Sequence, residues 1–266
     1  MKWSKYFVAD RAFEISTWVF ENLEIWDSHT HIGFDKDEMN MSLKDLLKNM
    51  KKYNIKKSIL FPLNDTRDQT FNIANDEIYA AYKKHPKKFI HFFRLNPHSK
   101  WKDEFNLRVE QGFRGIKLHP RTQNFDLDSA SAMQIYEKAE EKNLPILIHT
   151  DRGLNEIGDK IEAVIKEYPK LKLILGHAAF VDMDHTIRKL SRSKNIYFET
   201  SAIAVFDIFD ILQKVEPYSI VYGSDIPYVD MEYSLESIIH IADAVNISMK
   251  NLQKMLSGNL RKWFDD

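Results

Sequence analysis

Eight short apolar runs recur along the chain: Leu23–His29, Lys57–Leu63, Phe89–Leu95, Gly115–His119, Ile146–His149, Leu171–His177, Ile196–Thr200 and Ile220–Ser224. They are rich in Ile, Val, Leu and Phe, nearly free of polar alternation, and bounded by polar turns. Strands buried on both faces have that pattern. Their starts lie roughly 24 to 34 residues apart, enough for one strand, one helix and two loops.

Between the runs the apolar period changes to that of a helix. Across Asn155–Tyr168, Ile157, Ile161, Val164, Ile165 and Tyr168 form one helical stripe, and Pro169 ends it. Asp128 or Ser129 can cap a helix with Met133, Tyr136 and Ala139 on one face, stopping before Pro145. Ser42–Tyr53, Ile73–His85, Val181–Arg192 and Tyr233–Ala244 have suitable lengths, and Ser248–Phe264 reads as one or two closing helices. The N-terminal stretch reads as an amphipathic helix packing through Phe7, Phe13, Val19 and Phe20.

Eight strand–helix units with no linker or composition break predict a single α/β domain over residues 1–266. It is a (β/α)8 TIM barrel with extra N- and C-terminal helices. An open doubly wound sheet would have fewer strands and a glycine-rich phosphate turn after the first, and the chain has only eight Gly.

Composition narrows the chemistry. There is no Cys, which excludes disulfides, thiolate zinc, iron–sulfur clusters and a cysteine nucleophile. A metal would need His, Asp, Glu or a modified Lys. With 38 Lys plus Arg against 39 Asp plus Glu, the net charge of −1 gives no electrostatic reason to expect nucleic acid or an anionic membrane. Asp10, Arg11 and Glu14 interrupt the first twenty residues, so no signal-peptide core is legible, and no run nears membrane-spanning length. A cytoplasmic protein acting on a small molecule is expected, with terminal helices that leave room for a homodimer.

In a barrel of this kind the chemistry sits at the C-terminal strand ends, where the histidines fall. The first strand ends in Asp27-Ser28-His29-Thr30-His31, and alternation predicts Asp27, His29 and His31 on one face. The fourth ends in Lys117-Leu118-His119, the fifth at His149, the sixth at His177 and the eighth at Asp225. A closed barrel gathers these ends, and imidazole nitrogens and carboxylate oxygens then converge as for Zn2+, Mn2+ or Fe2+. So many costly polar groups against an apolar core call for a ligand.

The motifs DSHTHIG (27–33), GIKLHP (115–120), LIHTD (147–151), LGHAA (175–179), YGSDIPY (222–228) and SGNLRKWF (257–264) resemble the amidohydrolase superfamily, in particular its amidohydrolase 2 branch of TIM-barrel metal-dependent hydrolases. The resemblance implies a divalent metal, zinc first with manganese or iron as alternatives, as one or two ions. His29, His31 and Asp225 would bind it with one or both of His149 and His177. It implies that Asp225 takes a proton from the metal-bound water in hydrolysis of an amide, lactone or ester. In the decarboxylases of the branch, the sixth-strand histidine, His177 here, resembles an acid/base. Lys117 matches the lysine that two-metal relatives carboxylate to bridge their ions; otherwise it would pair with a substrate carboxylate or with Asp225. His119 is expected to touch substrate. Arg94 and Arg152, at strand ends, are candidates to grip a carboxylated substrate. The alternatives are a non-oxidative decarboxylase or hydratase of an unsaturated carboxylic acid, and a barrel that has lost catalysis and only binds.

Overall fold

The computed structural model describes residues 5–35, 38–65 and 67–265, and within the first helix the side chains from Phe13 onward. The strands are β1 (Ile25–Phe34), β2 (Asn40–Met41), β3 (Ile55–Pro62), β4 (Phe89–Arg94), β5 (Gly115–Leu118), β6 (Ile146–His149), β7 (Leu173–Gly176), β8 (Ile196–Glu199) and β9 (Ile220–Val221). The helices are α1 (Lys5–Asn22), α2 (Leu43–Lys52), α3 (Asn72–Lys84), α4 (Lys102–Glu110), α5 (Pro120–Gln123), α6 (Ala130–Glu141), α7 (Ile157–Glu167), α8 (Met183–Leu190), α9 (Val205–Lys214), α10 (Met231–Ala244), α11 (Met249–Gln253) and α12 (Asn259–Phe264). A π-helical turn at Lys254–Gly258 joins the last two.

The sheet order is β2-β1-β3-β4-β5-β6-β7-β8-β9, parallel throughout except for β2, which forms a short antiparallel hairpin on β1. Backbone bonds join its two ends: Ser28 N–H donates to Tyr222 O (3.0 Å), Asp225 N–H to His29 O (2.8 Å) and His31 N–H to Ile226 O (3.2 Å). The chain is a TIM barrel whose eight parallel strands are β1 and β3 to β9.

Two apolar layers form because every barrel strand is buried on both faces. Outward residues such as Ile116, Ile146, Ile148, Leu173 and Leu175 pack under the helices. Inward residues Trp26, Ile59, Phe61, Ile90, Phe92, Leu147, Ile174, Tyr197 and Val221 fill the barrel, with Leu260 and Phe264 of α12 packed against them. Each fully buried side chain of this size contributes about 1.5–3 kcal/mol relative to exposure. Gly115 is required by this packing, because a Cβ there would lie 2.3 Å from the Phe92 ring.

The helix caps follow local rules. Ser42 and Ser129 accept from Asp45 N–H and Ala132 N–H at the starts of α2 and α6. Helices α4 and α9 were not legible in the apolar period. In α4 the apolar residues fall at Phe105, Leu107 and Val109, a strand-like alternation, and its buried face is partly ionic, with Arg108 Nε donating to Glu104 at 2.5 Å. In α9 large apolar residues also occupy the solvent side, with Phe206 85% exposed. The N-terminal helix does form. It docks through Val19, an edge contact of Phe20 with Tyr53, and a Ser16–His240 hydrogen bond of 2.9 Å to α10. Phe13, expected on its packed face, is exposed, and the side chain of Phe7 lies outside those described. No helix among the described residues is long and apolar enough to cross a membrane.

Candidate metal centre

The inward faces of β4, β6 and β8 change from apolar to polar within one step of two residues: Phe92 to Arg94, Leu147 to His149, Tyr197 to Glu199. At this end of the barrel lies a cavity of about 450 Å3 lined by His29, His31, Arg94, Lys117, His119, His149, His177 and Asp225, together with Arg121, Asp151 and Tyr228.

Strict alternation fails in β1. Between Asp27 and Thr30 the strand carries one extra residue relative to β3, so Asp27 pairs with Ser58 whereas His31 pairs with Phe61. This bulge aims His29 and His31 into the cavity and leaves Asp27 outside its lining. Asp27 is instead a buried brace, with Oδ1 accepting from His29 N–H (2.9 Å) and Ser224 N–H (3.0 Å). Burial pushes its carboxyl up to about 7. The expected sharing of one face by Asp27, His29 and His31 is therefore corrected: the bulge removes Asp27.

At the centre, Asp225 Oδ1 lies 3.1 Å from His29 Nε2 and 3.0 Å from His31 Nε2. The opposite edge of each ring also meets an acceptor. His29 Nδ1 meets the Glu199 carboxylate at 2.9 Å, and His31 Nδ1 meets the carbonyl oxygen of Pro62 at 3.3 Å. Both partners only accept, which favours a hydrogen on each Nδ1, and a neutral ring in that tautomer presents its Nε2 lone pair to the cavity. Two imidazole lone pairs and a carboxylate oxygen then converge within 4.8 Å of one another. Three such groups in contact call for positive charge, which Lys117 Nζ, 3.2 Å from His29 Nε2, supplies in part, and the ligand set suits a divalent cation.

The protonation tendencies of the two rings differ. Burial and the Lys117 cation pull the His29 pKa down, but Asp225 and Glu199 outweigh them and raise it. Burial pushes His31 down to about 3, against a smaller upward pull from Asp225. Burial alone would raise Asp225, yet His29 and His31 hold it well below the usual carboxylate range.

A second cluster shares His29 with His177 and Glu199. Its donors and acceptors are already paired through Ser201, whose Oγ donates to Glu199 Oε2 at 2.8 Å and lies 3.2 Å from His29 Nδ1 and 3.1 Å from His177 Nδ1. It is a hydrogen-bonded node, without the bare acceptors of the first cluster.

The other expected site residues divide. His177 Nδ1 donates to the Ser201 carbonyl (3.0 Å), so His177 Nε2 accepts from His149 Nδ1 (3.1 Å). That leaves His149 Nε2 buried without a hydrogen-bond partner at the cavity wall, outside the three-acceptor cluster. Burial lowers the pKa of both rings. His119 stacks on His149 with centroids 3.7 Å apart, and its Nδ1 accepts from Thr122 N–H at the start of α5. Lys117 Nζ lies 3.2 Å from His29 Nε2 and 4.8 Å above the Phe61 ring. Burial and then Arg94 repulsion push it down to about 7. Arg94 is 1% exposed, donates to Asn64 (3.2 Å) and has an unpartnered Nε.

Arg152 is not brought to this site: its side chain is exposed, with its guanidinium 5.8 Å from the Phe180 ring, and Arg121 lines the cavity in its place. The turn after β6 carries Arg152 outward. Glu199 and Ser201 were missed. Their only signal was a polar Glu-Thr-Ser end to an otherwise apolar run, the same signal that marked the other strands.

The amidohydrolase family model matches residues 26–265. The chain belongs to the amidohydrolase family. No curated protein sequence matches it. Among solved structures this amidohydrolase is similar to 2,6-dihydroxybenzoate decarboxylase from Rhizobium, with TM-score 0.70, 16% identity, and coverage of 91% of this chain and 98% of that one. It is similar to a dihydroxybenzoic acid decarboxylase from Polaromonas with bound manganese and 2-nitroresorcinol (TM-score 0.69, 16% identity, 91% and 97% covered). It also resembles a probable 2-pyrone-4,6-dicarboxylic acid hydrolase from Acinetobacter baumannii with bound citric acid (TM-score 0.65, 13% identity, 91% and 99% covered). At these identities the likeness speaks for the fold of the amidohydrolase, which both decarboxylases and hydrolases share.

Proposed function

We propose that the protein is a metal-dependent hydrolase that cleaves an amide, lactone or ester bond in a small substrate bearing a carboxylate. The observation that carries this reading is the convergence of His29 Nε2, His31 Nε2 and Asp225 Oδ1, three ligand-type atoms within 4.8 Å of one another. These residues would hold one divalent ion, and two imidazoles with a carboxylate suit zinc, with manganese and iron as alternatives. When bound, such an ion supplies Lewis acidity for a carbonyl and acidifies a water.

The chain's own residues supply the rest. Asp225, ionised at neutral pH, is the base nearest to a water entering this corner of the cavity. Arg94 and Lys117 are buried cations facing the same cavity, and a substrate carboxylate is the ligand that would balance them. His119 stacks on His149, and both rings line the same cavity, where they can contact substrate.

Non-oxidative decarboxylation is the second reading. It is favoured by the His149–His177 pair, which lines the same cavity as the two cations and could relay a proton to carbon. Lactones, amides and unsaturated carboxylic acids screened against metal-loaded protein separate the two. Hydrolysis without gas is expected, and release of carbon dioxide from a carboxylic acid would replace the first reading with the second. Elemental analysis should find about one ion per chain, and Asp225→Asn should lower kcat/KM by roughly 10³-fold or more. A protein that binds no metal with His29 and His31 intact would sink both readings.

A further inference from the structure

The end of β8 carries a device that the two readings above do not use. Glu199 is fully buried, and its two carboxylate oxygens collect four donors. Oε1 accepts from Ser201 N–H (2.6 Å), while Oε2 accepts from Ser201 Oγ–H (2.8 Å), His29 Nδ1–H (2.9 Å) and His177 backbone N–H (3.2 Å). Ser201 in turn touches both rings: its Oγ lies within 3.2 Å of each Nδ1, and its carbonyl accepts from His177 Nδ1–H.

The surrounding backbone is built around this carboxylate. A Cβ on Gly223 would lie 2.1 Å from Glu199 Oε1 and 2.9 Å from His29 Cβ, so the glycine of Gly223-Ser224-Asp225 makes room for Glu199. His177, Ala178 and Ala179 all have positive φ (65°, 50° and 55°), a conformation that costs energy without glycine. Glu199 holds the first of these N–H groups, and Thr150 Oγ1 holds the third at 3.0 Å.

We propose that Glu199 and Ser201 are positioning residues that set His29 and His177 together as Nδ1–H tautomers. The His29 Nε2 lone pair then faces Asp225, and that of His177 faces His149. One buried anion thereby orients a ligand-type histidine of β1 and a histidine of the β7 end. A carboxylate behind an imidazole raises the basicity of its far nitrogen and improves it as a donor to a cation. The consequence for cation affinity rests on the metal-centre reading above, whereas the tautomer assignment does not.

The test uses the full-length protein with 15N-labelled histidine rings, first stripped of metal by chelator and held at a pH alkaline enough for both rings to be neutral, with ring signals assigned by single histidine replacements. The wild type should show both His29 and His177 as Nδ1–H tautomers. In Glu199→Gln the carboxamide turns a donor toward the node, so His29 should lose that single tautomer and Mn2+ affinity should fall 10–100-fold. Ser201→Ala removes one buried oxygen, should shift both Nδ1 signals, and should weaken Mn2+ by roughly threefold. It serves as the deciding variant if Glu199→Gln does not fold. Unchanged ring signals in either variant, or Mn2+ affinity in Glu199→Gln within about twofold of wild type, overturn the proposal. A wild type that binds no Mn2+ but loses its tautomers on Glu199→Gln upholds the positioning pair and sinks the metal reading instead.

Discussion

The floor and the mouth of the barrel are made by the same strands through the same inward-facing positions, yet they follow opposite rules. On the floor, Ile90, Phe92, Leu147, Ile174 and Tyr197 interlock with Leu260 and Phe264 of α12. Two residues further along, Arg94, His149, Glu199 and their neighbours are as deeply buried but carry lone pairs and charges. The floor stabilises the fold by burial alone. The mouth is a cost, and only its internal hydrogen bonds and a bound cation or anion can offset it. Strand β4 compresses the contrast into four residues: His91 faces outward to the helix layer, Phe92 the floor, and Arg94 the cavity.

Truncating the floor should give the largest effect on stability. Phe92→Ala leaves a hole in a close-packed layer and should cost about 3–5 kcal/mol in denaturant unfolding. Its metal affinity per folded molecule should stay near wild type. If stability fell by less than about 1 kcal/mol, the floor would not be the rigid layer described.

His91 tests the outer face of the same strand. Its ring stacks on Tyr82 (centroids 3.7 Å) and leans on Phe113 (4.5 Å), and burial pushes its pKa down to about 4 from 6.5. The unfolded chain binds the proton more readily, so stability falls as pH drops through 6.5 and levels off near 4. Two and a half units correspond to roughly 3 kcal/mol. His91→Phe should flatten that slope between pH 7 and 4. An unchanged slope would place the acid sensitivity elsewhere.

The mouth should respond in the opposite sense. Arg94→Met removes a buried charge whose Nε has no partner, so stability in the ligand-free protein should hold or rise by up to about 1 kcal/mol. KM for a carboxylate substrate should rise roughly tenfold or more, with a smaller change for a neutral analogue. A loss of stability larger than that of Phe92→Ala would dissolve the distinction between floor and mouth.

Much of the site was legible because strand ends are local in sequence. His29, His31, Lys117, His149, His177 and Asp225 each close an apolar run, and in a closed barrel all such ends meet. Asp27 broke the rule because the β1 bulge depends on register against β3, which no alternation count contains. Arg152 broke it because a side chain just past a strand end is aimed by its turn. Among helices, α7 was readable from its single stripe, whereas α4 hides its packing in an Arg108–Glu104 pair and an alternating apolar pattern.

The sequence by itself determined the barrel, because eight doubly buried strands at helix-length spacing have few other ways to satisfy both faces. It also determined that the chemistry is nitrogen and oxygen, because there is no sulfur nucleophile or thiolate ligand in a chain without cysteine. Tertiary structure decided which of the gathered groups face one another and which acceptor meets each ring. Those choices depend on acceptors far away in sequence: Pro62 O for His31, Glu199 for His29 and Ser201 O for His177. An imidazole has two nitrogens of nearly equal intrinsic preference, and only a partner held in place by the fold selects between them.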